Sequence, residues 1–212
     1  MAGIGRSIYL PPWRLDITVR AGVEPRVPHS VLAHTVAAAL GAAGAPEPAS
    51  VGLFLSDDAE LSELNRDAMG IDGPTDVLSF PLLSPGAFPR HAGQDPIVRA
   101  EAVLPFALPP GRRTHLGDIV VSVERAAVQA AQGRGGQTGD VSWSTADELR
   151  LLVTHGTLHV CGWDHAMPDE EAAMRELERE LLSQTVSATS HSLRLRRSRD
   201  HRASNRRGHR PG

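Results

Sequence analysis

The chain has 212 residues, 41% of them apolar, which suits one domain of about 150–180 residues plus appendages. Its single cysteine, Cys161, excludes an intramolecular disulfide and suits a reducing cytoplasm, and no apolar run reaches the length of a membrane span. The formal net charge of −3 conceals an acidic body and a basic tail.

Met1 to Asp16, interrupted by Pro11 and Pro12, lacks the continuous apolar region of a signal peptide. Leu15 to Arg20 alternates apolar and polar residues and reads as a first strand. Pro28 opens a helix to about Ala43, with Val31, Leu32, Val36 and Leu40 on one face and Gly41 and Gly44 ending it. Val51 to Leu55 is a short strand. Asp57, with Glu60 as its capping-box partner, starts a helix carrying Leu61 and Leu64. Thr75 to Phe80 and Asp118 to Val123 read as the third and fourth strands, and Glu124 to about Gln132 as a helix ended by glycines. Thr145 with Glu148 makes a capping box for the next helix, which buries Leu149, Leu152, Val153 and Leu158. Asp169, Glu170 and Glu171 favour the positive end of a last helix after Pro168. Four strands with interspersed helices imply an α/β two-layer sandwich.

Residues 83–115 are rich in proline, among them Pro85, Pro89 and Pro96, and form an insertion loop: a flap over a cleft or a tolerated addition. His91 and His115 within it have no partner at metal spacing. All 22 basic residues are arginine; eight lie beyond residue 186 beside one acid, Asp200, leaving fourteen against 24 acids in the body. The chain therefore divides into a single domain, 1–185, and an arginine-rich tail, 186–212, expected to be disordered. Such a tail adds salt-dependent, sequence-blind affinity for phosphates, or serves only as a solubilising appendage.

Three of the ten histidines fall within His155-Gly156-Thr157-Leu158-His159-Val160-Cys161-Gly162-Trp163-Asp164-His165. On a helix, His155 and His159 present two imidazoles to one ion. Gly162 can end that helix in the left-handed conformation, and the returning chain brings His165 to the same point. Three imidazoles with an open position describe a catalytic zinc site, although nickel, copper or iron fit the same nitrogens. The spacing is that of H-E-x-x-H-x-x-G-x-x-H metalloproteases, but Gly156 stands where their glutamate acts as general base. Asp164 is a substitute base or an acceptor that orients a histidine. Cys161, on the opposite helix face, reads as core filler.

This motif resembles the H-G-x-L-H-L-x-G-Y-D-H signature of the YbeY family, bacterial endoribonucleases of ribosomal RNA maturation. Three further blocks agree in order: Leu64-Asn65 leading into Pro74-Thr75-Asp76-Val77-Leu78-Ser79-Phe80-Pro81; Leu116-Gly117-Asp118-Ile119 through Ala126; and Pro168 to Leu182. The resemblance spans roughly residues 14–184 except for the insertion, where the family has a shorter connection. It implies a mixed sheet of four strands packed with about five helices, and a zinc cleft beside the H-x-x-x-H helix. One departure concerns an arginine that the family commonly carries before P-T-D-V, for catalysis or phosphate binding: Met69 holds that position here. Arg66, one turn back, is its substitute or a solvated helix arginine.

The resemblance implies a single-strand-specific, zinc-dependent endoribonuclease acting on the 3′ end of small-subunit (16S) ribosomal RNA and in late ribosome quality control. His155, His159 and His165 would hold the Zn2+. His155, Asp164 and Arg66 would serve catalysis, and Asn65, Thr75 and Asp76 would contact RNA or build the loop beside it. Expected partners are ribosomal RNA and the small ribosomal subunit, with a ribosomal protein or GTPase as a further candidate. Two alternatives stand: a non-catalytic, zinc-containing ribosome assembly factor, consistent with Met69, and a metallohydrolase acting on peptides, weakened by Gly156.

Overall fold

Backbone pairing joins five strands, not four, into one sheet. The computed structural model describes residues 3–94, 109, 112–133 and 143–184. Its strands are β1 (Ile4–Leu10), β2 (Trp13–Val19), β3 (Ala49–Ser56), β4 (Val77–Pro81) and β5 (Thr114–Ser122), in the spatial order β1-β2-β3-β5-β4. The sheet is mixed: β2, β3 and β5 run parallel, and β1 and β4 pair antiparallel at its two edges. The helices are α1 (His29–Ala42), α2 (Asp58–Met69), α3 (Val123–Ala131), α4 (Thr145–Val160) and α5, at 168–184. None of the described helices is long and apolar enough to cross a membrane. The tail and the middle of the proline-rich insertion lie outside the described residues.

The unexpected strand, β1, is made by its partner. Gly5, Arg6 and Ser7 break any apolar alternation and Ile4 is 80% exposed, yet its residues pair with β2 from Ile4↔Val19 to Leu10↔Trp13. The two-residue period sorts the other strands. Leu53, Leu55, Ile119 and Val121 enter the main core with α1 and α4. Phe54, Val120, Leu78 and Phe80 face the opposite side, where Leu61 and Leu64 of α2 cover them. The sandwich therefore gains a partial third layer, which the sequence pattern alone did not require.

α4 is the central helix, packed on β4, β5, α1 and α3. Its capping box lies one residue before the expected pair: Ser144 Oγ accepts from the Asp147 N–H and Asp147 Oδ2 accepts from the Ser144 N–H, both at 3.2 Å. Glu148 is buried instead, accepting the Trp143 indole N–H at 2.5 Å. At α2 only half of the expected box forms. Asp57 accepts from the Glu60 N–H at 2.9 Å, while the Glu60 carboxylate turns to Arg20 at 2.6 Å. Replacing the α4 cap, Ser144→Ala, should lower stability by about 1 kcal/mol. Urea unfolding should show an earlier midpoint with an unchanged slope.

Candidate metal centre

His155 and His159, one turn apart on α4, bring their Nε2 atoms within 3.0 Å of each other. The helix ends at Cys161, and Gly162 follows with φ 82°, a conformation closed to most side chains. The Gly162 N–H then reaches the His159 carbonyl at 3.0 Å and the Trp163 N–H the Leu158 carbonyl at 3.1 Å, which reverses the chain. His165 arrives with its ring centroid 5.6 Å from His155 and 5.0 Å from His159. Ligand atoms of all three lie within 4.8 Å of one another, and no other such group occurs among the described residues.

The far side of each helical imidazole is committed. His155 Nδ1 lies 2.7 Å from Glu178 Oε1, and His159 Nδ1 lies 2.8 Å from the Trp163 carbonyl oxygen. Both partners are acceptors, so each Nδ1 donates to its partner and the two Nε2 atoms are left facing each other. Two imidazole nitrogens held 3.0 Å apart with their far sides bonded are placed to share one cation. Burial, then the neighbouring His155 and His165, push His159 down to about 4, so it is neutral in ordinary solution and in the form that ligates metal. The donor set therefore fits a divalent ion. Cys161 does not join it: the side chain is 1% exposed and burial pushes its thiol up to about 12.

Gly156 owes its identity to the sheet. A β-carbon there would meet Ile119 Cγ2 at 2.8 Å and Val77 Cγ2 at 3.1 Å, while Ser79 Oγ donates to its carbonyl at 3.0 Å. A glutamate at this position would be driven into β4 and β5 and away from the imidazoles.

The three histidines open onto a cleft of ≈ 670 Å³. Asn65, Thr75, Asp76 and Asp164 also line it. Asn65 is buried and its Nδ2 donates to the Gly73 carbonyl at 2.9 Å, tying α2 to the loop before β4. Asp76 Oδ1 accepts the Val77 N–H at 3.0 Å, and its Oδ2 accepts the Gln129 amide at 2.9 Å. The Asp164 carboxylate folds back onto its own turn, accepting the His165 N–H at 2.8 Å. Met69 lines the cleft and is 62% exposed. Arg66 is not brought to it; its half-exposed side chain lies 3.7 Å from Asp67. Sequence reasoning did not single out Glu178 or Gln129. Each sits on a helix with similar residues nearby, and only the packing of α5 and α3 selects it.

Comparison with known proteins fits this geometry. Residues 22–186 match the family described as Endoribonuclease YbeY. The chain belongs to the YbeY family. The Endoribonuclease YbeY of Salinispora tropica is 40% identical over 152 residues, covering 72% of this chain and 84% of that one. Its counterpart in Chloroflexus aurantiacus is 36% identical over 177 residues, covering 83% and 95% respectively. A solution structure from Thermotoga maritima covers 84% of this chain and 93% of its own, with a TM-score of 0.49 and 20% identity. If His155 holds a divalent ion, Glu178 at 2.7 Å orients that imidazole, and Glu178→Gln should weaken zinc uptake about tenfold or more, read by competition with a chromophoric chelator. Retained far-ultraviolet circular dichroism would show that the fold survives.

Proposed function

We propose that the chain is a zinc-dependent endoribonuclease specific for single-stranded RNA. Its work would lie in 3′ end maturation of small-subunit ribosomal RNA and in late ribosome quality control. The observation that carries this reading is the 3.0 Å approach of two imidazole nitrogens whose far sides are already bonded, in a chain whose relatives are named endoribonucleases. An all-imidazole donor set suits zinc and disfavours the oxygen-seeking ions calcium and magnesium.

In this reading His155, His159 and His165 hold the ion. Bound zinc supplies Lewis acidity toward a phosphoryl oxygen and lowers the pKa of coordinated water toward about 7. Glu178 and the Trp163 carbonyl keep two of the imidazoles aimed and in one tautomer. Asn65 shapes the 70–76 loop, from which Thr75 and Asp76 face the RNA, and Gln129 and the Val77 N–H hold the Asp76 carboxylate. Asp164 serves by fixing the His165 backbone. Arg66, outside the cleft lining and 3.7 Å from Asp67, would offer a phosphate contact only on moving toward the cleft. The domain, 1–185, carries the chemistry, and the arginines of 186–212 add affinity for RNA and the small subunit, beside any ribosomal protein or GTPase partner. Such a substrate places the protein in the cytoplasm.

Met69 favours a second reading. An apolar side chain where the family commonly has arginine gives no charge to a phosphate, which suits a non-catalytic, zinc-containing assembly factor. Peptide hydrolysis is disfavoured by the packing of Gly156 against Ile119 and Val77.

Incubation of the purified chain with single-stranded ribosomal RNA, with and without chelator, separates these readings. Cuts that vanish on chelation are expected, together with about one retained zinc per chain. His159→Ala should lose both the zinc and the cuts while remaining folded. RNA binding without cleavage would instead establish the assembly factor. Removal of residues beyond 186 should flatten the salt dependence of RNA binding.

A further inference from the structure

Residues 85–93 touch both ends of the turn that carries His165. Pro85 packs on Gly162, where a β-carbon would meet the Pro85 α-carbon at 2.8 Å. Phe88 is buried in the main core, Pro89 abuts Gly44 beyond α1, and Gly93 lies against the backbone of Asp169 and Glu170. Between these anchors the His91 ring stacks on Trp163, with centroids 3.9 Å apart and planes 10° apart. His91 Nε2 faces two acceptors, the Gly162 carbonyl and Glu170 Oε1, each at 3.4 Å. The His91 and Glu170 side chains are only 6% and 7% exposed.

The groups that His91 touches are those that set the ligands. The Trp163 carbonyl accepts the His159 Nδ1 proton at 2.8 Å. Glu170 Oε1 accepts the Asp164 N–H at 3.1 Å, and Asp164 Oδ1 in turn accepts the His165 N–H at 2.8 Å. Residues 164–167 are themselves exposed, so the turn has little buried surface of its own to hold its shape. Its geometry must come from what packs on it.

We infer that His91 is a positioning residue for the metal centre: stacked on Trp163 and facing Glu170, it holds the Gly162–His165 turn in the shape that aims His159 and delivers His165. This rests on the metal reading of the three histidines. It gives the start of the insertion a role as a strap on the ligand turn.

The test compares wild-type, His91→Ala and His91→Phe full-length chains, each stripped of metal. Zinc affinity is read by chelator competition, the visible spectrum by cobalt loading, and the melting temperature on the metal-free proteins. His91→Ala should bind zinc about tenfold or more weakly, with an altered cobalt spectrum. His91→Phe, which keeps a ring on Trp163, should recover affinity to within about threefold of wild type. Zinc affinity of His91→Ala within about twofold of wild type would overturn the assignment. So would equal losses in both variants that merely track a fall in metal-free melting temperature. A wild-type chain that takes up no zinc would overturn the metal reading as well, which keeps the two failures distinct.

Discussion

Gly156 lies so close to the sheet that its missing side chain, Ile119 Cγ2 and Val77 Cγ2 compete for one space, and the Ser79 hydroxyl bonds its carbonyl at 3.0 Å. That contact fixes how α4 is rotated about its own axis. With one residue per 100° of turn, His155 and His159 then lie about 100° and 60° to the same side of the sheet-facing position. They project along the edge of the sheet, toward the cleft, and neither is buried in the core nor turned out to open solvent. A larger residue at 156 would either lift the helix or roll it, and either motion would carry both imidazoles together away from Glu178 on α5, now 2.7 Å from His155 Nδ1. The absence of a glutamate at this position and the presence of the imidazole pair thus have one cause.

The second constraint is electrostatic. Two imidazole nitrogens are held 3.0 Å apart because the opposite ring nitrogens are bonded to Glu178 and to the Trp163 carbonyl. A site held this way in the folded chain has no counterpart in the unfolded one, so any cation it binds adds its binding free energy to folding. The same logic explains why support comes from distant segments. α5 supplies Glu178 and Glu170, and the segment after β4 supplies Pro85 and His91, because a turn of exposed residues cannot preorganise itself.

How much of this was legible in the sequence follows from the range of the interactions involved. The H-x-x-x-H pair, the helix-ending Gly162 and the returning His165 are local, so spacing alone revealed them. Strands with internal alternation or apolar runs, such as Trp13–Val19 and Ala49–Ser56, were legible for the same reason. β1 was not, since its strand character is imposed by pairing with β2. The cap of α4 was misplaced by one residue because Ser144-Asp147 and Thr145-Glu148 have equal sequence claims; burial of Glu148 beside Trp143 decides between them. Glu178, Gln129 and His91 act across separations of 23, 53 and 71 residues, and no local pattern marks them.

Charge sets the last condition on the proposed chemistry. The body of the chain is acidic, and Asp76, Glu148, Glu171 and Glu178 line the recess behind His155 with Arg175 beside them. A phosphodiester approaching this face meets an unfavourable field unless positive charge is concentrated where it reacts. Met69 adds none, and Arg66 points to Asp67. Three neutral imidazoles, unlike thiolates or carboxylates, add no negative charge to a cation they hold, so the ligand set preserves that cation's pull on phosphate. If the arginines beyond residue 186 supply long-range attraction, attraction and reaction would be divided between the tail and the domain. Such a division accommodates an acidic domain with methionine where the family commonly keeps arginine.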